Sequence, residues 1–272
     1  CKAEATTNPT TIFASNTSTL PITSLANSSG RPANFIGLHF FSPVHRMKLV
    51  EIIRGEQTSD ACLASAIDFV KVIGKTPIVI NDGRGFYTSR VFGTYVQEGM
   101  AMLAEGITPA LIENAGRLAG MPLGPLEVAD AVSLELIYNV SLQTKADLGD
   151  DYLAPPGAQV IKKMVKQLGR FGKKTGKGFF DYPTGAPKQL WYGLNEQFPQ
   201  NPASEQPDVE LLKKRLLYIQ AIDATRCLEE KVVTTPVAAD IGSVMGWGFA
   251  PYTGGVLSMI DTIGVRTFVT EC

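Results

Sequence analysis

Gly37-Leu-His-Phe-Phe-Ser-Pro43 is followed, after Val44-His-Arg46, by Met47-Lys-Leu-Val-Glu-Ile-Ile53. Within these stretches Asn34-Phe-Ile-Gly-Leu-His39 and Lys48-Leu-Val-Glu-Ile-Ile53 are short apolar runs bounded by turn residues, and each predicts a β-strand. Outward from them, Thr11-Ile-Phe-Ala-Ser15 and Pro77-Ile-Val-Ile-Asn81 follow the same grammar. Between the third and fourth strands Ala61, Leu63, Ala66, Ile67, Val70 and Ile73 recur at helical spacing, with Asp60 early and Lys71 late to suit the macrodipole. Strands and helix together predict the later part of an α/β sheet over residues 1–82.

After Gly83-Arg-Gly85 the texture turns helical. Phe86 to Ala104 is apolar-periodic and ends at Gly106; Thr108-Pro109 is expected to cap and start a helix to about Leu118; Gly120-Met-Pro-Leu-Gly-Pro125 is a breaker-rich loop before more helix. A further helix is expected over residues 157–169, and Pro183 to Ser204 reads as a linker. Beyond it the pattern recurs: Arg90 to Glu105 is echoed by Arg215 to Glu230, Ile107-Thr-Pro109 by Val233-Thr-Thr-Pro236, Gly120 to Pro125 by Gly246 to Pro251, and Asp130 by Asp261. The expected division is therefore 1–82, 83–185 and 186–272, the last comprising the linker and a second, incomplete helical repeat.

The 272 residues suit about two domains, and 25 basic against 26 acidic side chains leave a net charge of −1, which points to no polyanionic partner. No apolar run reaches the length of a membrane span, and no secretory leader opens the chain, so a soluble, unsecreted protein of a bacterial cytoplasm or an organelle matrix is expected. Cys1, Cys62, Cys227 and Cys272 are scattered without a CxxC pair. Opening at Cys1 and closing at Cys272, the chain reads as a fragment.

Chemistry points first to histidine, the usual general acid/base, and there are only His39 and His45. A lone histidine is more often structural, but His39 ends a predicted strand, where open α/β sheets bind ligands. Glu51 lies among apolar residues of the next strand and needs a partner to offset desolvation; His39 is the natural one, with a solvent-facing Glu51, or one paired with Lys48 or Arg54, as the alternatives. No metal is expected, because the spacing of His39 and His45 around Pro43 matches no zinc motif. There is no Gly-x-Ser-x-Gly elbow, Gly74-Lys-Thr76 lacks the first P-loop glycine at Phe69, and Gly83-Arg-Gly85 lacks a third glycine at Thr88.

Ser15-Asn-Thr-Ser-Thr-Leu-Pro21, Gly37 to Pro43, Met47 to Glu51, Gly74-Lys-Thr-Pro77 and Gly85-Phe-Tyr-Thr-Ser-Arg90, in that order, resemble the L-3-hydroxyacyl-CoA dehydrogenase family. The resemblance continues through Gly120 to Pro125 and Lys174-Thr-Gly-Lys-Gly-Phe-Phe-Asp-Tyr182. The duplicated helical region resembles the multifunctional fatty-acid oxidation proteins, in which an enoyl-CoA hydratase precedes the dehydrogenase.

This resemblance implies the carboxyl-terminal part of a Rossmann domain, an α/β remnant, followed by mainly α structure in two related helical units. It implies NAD-dependent oxidation of L-3-hydroxyacyl-CoA to 3-oxoacyl-CoA in β-oxidation, with 3-hydroxybutyryl-CoA as a rival to longer substrates. His39 falls on the family's catalytic histidine, Glu51 on the carboxylate that orients it, and Ser18 on the serine that contacts substrate and cofactor. Ser42, a cofactor contact, and Ser89, a substrate contact, stand where the family often has the longer Asn. The implied partners are an acyl-CoA substrate and a homodimer mate or thiolase-type subunit. The family's glycine-rich pyrophosphate loop is not among these residues, so this chain alone is expected to bind NAD weakly and not to transfer hydride. The rival reading is a non-catalytic helical scaffold or dimerisation module.

Overall fold

The computed structural model describes residues 2–18 and 20–272. Its contacts gather Cys1–Phe92 and Gln220–Cys272 into one compact unit and Gly93–Ile219 into another.

The first unit opens with α1 (Lys2–Ala5), β1 (Phe13–Ser15), α2 (Ile22–Ala26), β2 (Phe35–Phe40), β3 (Leu49–Arg54), α3 (Asp60–Val72) and β4 (Thr76–Asn81), and then enters α4 (Thr88–Ala104). The strands pair in chain order, β1 with β2 parallel, β2 with β3 antiparallel and β3 with β4 parallel. Side chains alternate across a strand, so Ile36, Leu38, Val50 and Ile52 face α3, where Cys62, Ala66 and Val70 close one core layer. Gly37, His39, Leu49, Glu51 and Ile53 take the opposite face. There α2 comes close enough that a Cβ on Gly37 would lie 2.8 Å from the side chains of Ile22 and Ile53, so glycine is required. Ser59 caps α3 by accepting from Cys62 N.

The second unit holds α5 (Pro109–Leu118), α6 (Pro125–Val132), α7 (Leu134–Leu148), α8 (Ala158–Lys162), a two-stranded hairpin of β5 (Phe180–Asp181) and β6 (Gln189–Leu190), α9 (Leu194–Gln197) and the start of α10 (Val209–Glu229). The expected helix over 157–169 is α8 continued by a π-helical turn, Lys163–Gln167. The motif Lys174 to Tyr182 is a structural clasp: buried Asp130 accepts from Phe179 N and Phe180 N, both at 2.8 Å, and from the Tyr182 hydroxyl at 3.0 Å. The stretch expected as a linker is folded instead. It supplies β6 and α9, buries Leu194 and Phe198, and Asn201 N–H donates to Gly106 O; its apolar side chains outweigh its Pro, Gly and Asn content.

Past α10 come α11 (Pro236–Gly242), a π turn at Ser243–Trp247, α12 (Val256–Ile263) and α13 (Val265–Glu271). Residues of this segment pack on the β4 and α4 start of the first unit. Asn81 N–H donates to Val232 O, the Tyr87 hydroxyl to Ala239 O, and Gly242 stands where a Cβ would meet Ile78 and Tyr87 at 2.9 Å.

The helical stretches from Arg90 and from Arg215 are related in detail. Glu113 of α5 accepts from Leu126 N and Glu127 N at the start of α6, and Asp240 of α11 accepts from Leu257 N and Ser258 N at the start of α12. At both places a glycine, Gly124 or Gly255, leaves room that a Cβ would take from the carboxylate. The capping glycine of the second copy lies farther along than the Gly246 to Pro251 echo suggested, because its loop is longer. The copies also diverge. Thr235 caps α11 through Ala238 N whereas the Thr108 hydroxyl takes no helix N–H, and Asp130 is buried whereas Asp261 is exposed.

Candidate active site

His39 and Glu51 are register partners in the antiparallel β2–β3 pair, so they share a sheet face, and His39 Nδ1 lies 2.8 Å from Glu51 Oε2. Both are buried, His39 at 5% and Glu51 at 0% exposure. The alternatives of a solvent-facing or Lys48-paired Glu51 are excluded, and Arg54 pairs with Asp60.

The carboxylate is held by more than the histidine. Oε1 accepts from Tyr87 N at 3.1 Å and Thr88 N at 3.0 Å, and Oε2 also accepts from the Thr88 hydroxyl at 2.8 Å. These donors are Thr88, the first residue of α4, and Tyr87 just before it, where unpaired N–H groups and the helix dipole favour an anion. The turn that delivers them runs through Gly85 at φ 73° and Phe86 at φ 53°. Left-handed backbone is costly for phenylalanine. It is tolerated here because the Phe86 ring is fully buried beside the His39 ring, 5.8 Å between centroids, and the next two N–H groups are bound by Glu51. Phe41 flanks the imidazole on another side at 4.6 Å. Burial pushes the Tyr87 phenol up, and pushes the Cys227 thiol up to about 12, so neither supplies a second base near neutral pH.

Among the described residues, none of the sequence-predicted serines, Ser18, Ser42 and Ser89, hydrogen-bonds to this pair. Parallel β1 and β2 finish at the same edge, tied by Phe40 N–H to Asn16 Oδ1 at 2.9 Å, and exposed Ser18 follows in the bend beyond β1. Ser42 is exposed just past β2, and Ser89 is half-buried in the first turn of α4. Phe86, Tyr87 and Thr88 lie inside the Gly85 to Arg90 motif, whose pattern alone gives them no role in holding Glu51. The one available signal was Gly83-Arg-Gly85 before a helix, a place where N–H groups gather an anion.

An α/β sheet with a buried histidine–carboxylate pair where its strands end, succeeded by helical units, is the architecture of a Rossmann-like oxidoreductase. Residues 1–83 match the family model of the 3-hydroxyacyl-CoA dehydrogenase NAD binding domain, and residues 85–182 that of the 3-hydroxyacyl-CoA dehydrogenase C-terminal domain. The chain belongs to the 3-hydroxyacyl-CoA dehydrogenase family. It is 38% identical over 266 residues to a fatty acid oxidation complex subunit alpha from Shewanella putrefaciens, a match covering 95% of the chain and 36% of that relative. The chain thus spans about a third of the length of the curated relatives it matches. Among solved structures, (S)-3-hydroxybutyryl-CoA dehydrogenase from Ralstonia eutropha is 35% identical with a TM-score of 0.62, covering 67% of this chain and 64% of its own. The 3-hydroxybutyryl-CoA dehydrogenase of Escherichia coli K12, 22% identical, shares the fold at a TM-score of 0.79 over 99% of this chain and 72% of its own.

The NAD binding domain match gives NAD as the cofactor. The residues present fit its reactive end, because β1 and β2 leave polar Asn16, Ser18 and Ser42 at the edge where His39 is buried. No G-x-G-x-x-G run occurs in the sequence, so no residue here is assigned to the pyrophosphate.

Proposed function

We propose that this chain carries the acid/base site for NAD-dependent oxidation of L-3-hydroxyacyl-CoA to 3-oxoacyl-CoA, a step of fatty-acid β-oxidation. The observation that carries the reading is the fully buried Glu51 bound to His39 Nδ1 and to the start of α4. With Nδ1 donating to Glu51, the other ring nitrogen, Nε2, is the basic one and accepts the proton of the substrate's 3-hydroxyl. Glu51 fixes that tautomer and stabilises the imidazolium that forms. NAD, when bound, accepts the hydride from C3. Ser18 is assigned to the substrate oxygen and the cofactor, Ser42 to the cofactor and Ser89 to the substrate. Phe41 and Phe86 exclude water from the ring, which strengthens each electrostatic contact there.

The division at 1–82, 83–185 and 186–272 belongs to the same reading, as does a homodimer mate or a thiolase-type partner; a relative named as a complex's subunit alpha supports the latter. The direct test joins this chain to the glycine-rich segment of a family member and follows NADH formation. L-3-hydroxybutyryl-CoA should be oxidised and its D isomer should not. Equal turnover of both would overturn the assignment of an L-3-hydroxyacyl-CoA site, and none of either in a folded protein would overturn it in favour of the scaffold reading.

A further inference from the structure

Glu51 Oε2 is shared. It accepts from His39 Nδ1 and from the Thr88 hydroxyl, each at 2.8 Å, while Oε1 is occupied by Tyr87 N and Thr88 N. An ionised carboxylate only accepts, so the Thr88 proton is committed to it. Thr88 is 1% exposed, which leaves no room for water to take over the hydroxyl's role. Its methyl faces Gly246, where a Cβ would come within 3.3 Å, so packing as well as hydrogen bonding fixes the side chain.

We propose that Thr88 is a positioning residue of this site: its hydroxyl anchors Glu51 Oε2 and draws part of the carboxylate's charge away from His39, setting how strongly Glu51 favours the imidazolium. The inference rests on His39 being the base. A base that must take a proton and release it again in every turnover works best when its partner does not hold the protonated form too tightly. A second donor on the same oxygen is the means, since a hydrogen bond to a charged group favours that charge without help from the imidazole. The titratable and charged groups around the pair are Tyr87, whose hydroxyl donates to Ala239 O, Cys227 of α10, Asp240 bound to the start of α12, and Asp223, which pairs with Arg90. None of these contacts involves the Thr88 hydroxyl.

The test is an NMR titration of the histidine rings in this chain itself, where His39 has a single companion, the exposed His45, as an internal reference. Thr88→Val keeps the side-chain shape and removes the hydroxyl; Thr88→Ser keeps the hydroxyl. The His39 midpoint should rise by about one unit in Thr88→Val and return in Thr88→Ser, with His45 unmoved. If Thr88→Val does not fold, Thr88→Ala should give the same upward shift. An unchanged His39 midpoint without the hydroxyl, or an equal shift in Thr88→Ser, overturns the proposal. Loss of the dehydrogenase reading would show differently, as turnover that survives removal of His39, with the titration result left standing.

Discussion

Two buried carboxylates, Glu51 and Glu113, each accept backbone N–H groups at the start of a helix, and their remaining donors set them apart. Glu51 has four donors for its two oxygens. Glu113 has Leu126 N and Glu127 N on Oε1, while Oε2 is buried with no hydrogen-bond partner among the described residues, so burial outweighs the helix start and pushes its carboxyl up to about 7. Burial likewise pushes Asp130 up to about 6. Both groups bind their proton more tightly folded than unfolded. Their stabilisation is therefore fully present below pH 4 or so and is lost as pH rises through about 6 to 7. For Glu113 the loss is about 3 kcal/mol. Urea unfolding at pH 5 and pH 8 should show Glu113→Gln losing about 2–3 kcal/mol less than the unchanged chain between those values; an identical loss in both would refute the assignment. At this scale His39 and Glu51 were legible, because a lone carboxylate in an apolar strand demands a partner. Thr88 was not, since nothing in a helix's first residue says which distant oxygen it will meet.

Elements of the repeat are tied by matching ion pairs. Arg90 binds Asp223 and Glu230, while Arg215 binds Glu98 and Glu105, and the two sets are offset by the same 125 residues (215 − 90, 223 − 98, 230 − 105). The Thr-Pro starts and Gly/Pro loops made the duplication legible, because proline at N1 and glycine beside a capping carboxylate are local demands of the backbone. Which carboxylate reaches which helix start was not legible, since that follows from packing. Packing also governs Gly242, where α11 meets the β4 side of the sheet and a Cβ would come 2.9 Å from both Ile78 and the Tyr87 ring. Gly242→Val should cost about 1–3 kcal/mol by overpacking, read as a lower denaturant midpoint. Val237→Ala on the exposed face of the same helix should change it by less than about 0.5 kcal/mol. Equal effects at both positions would show that α11 does not bear on the sheet as described.

At the scale of the whole molecule, the order of an α/β part before helices followed from the change of hydrophobic period. The grouping of residues 220–272 with 1–92 did not, because it depends on contacts such as the Tyr87 hydroxyl to Ala239 O, across 152 residues of chain. That grouping brings the segment after α10 against the α4 start whose N–H groups hold Glu51, and with Glu51 the His39 ring. The proposed chemistry depends on that ring as the acid/base group. In the protein joined to a family member's glycine-rich segment, His39→Ala should lower kcat for L-3-hydroxybutyryl-CoA oxidation by about 10²–10⁴. Turnover within a few fold of the unchanged protein would contradict the account and move the chemistry to another residue.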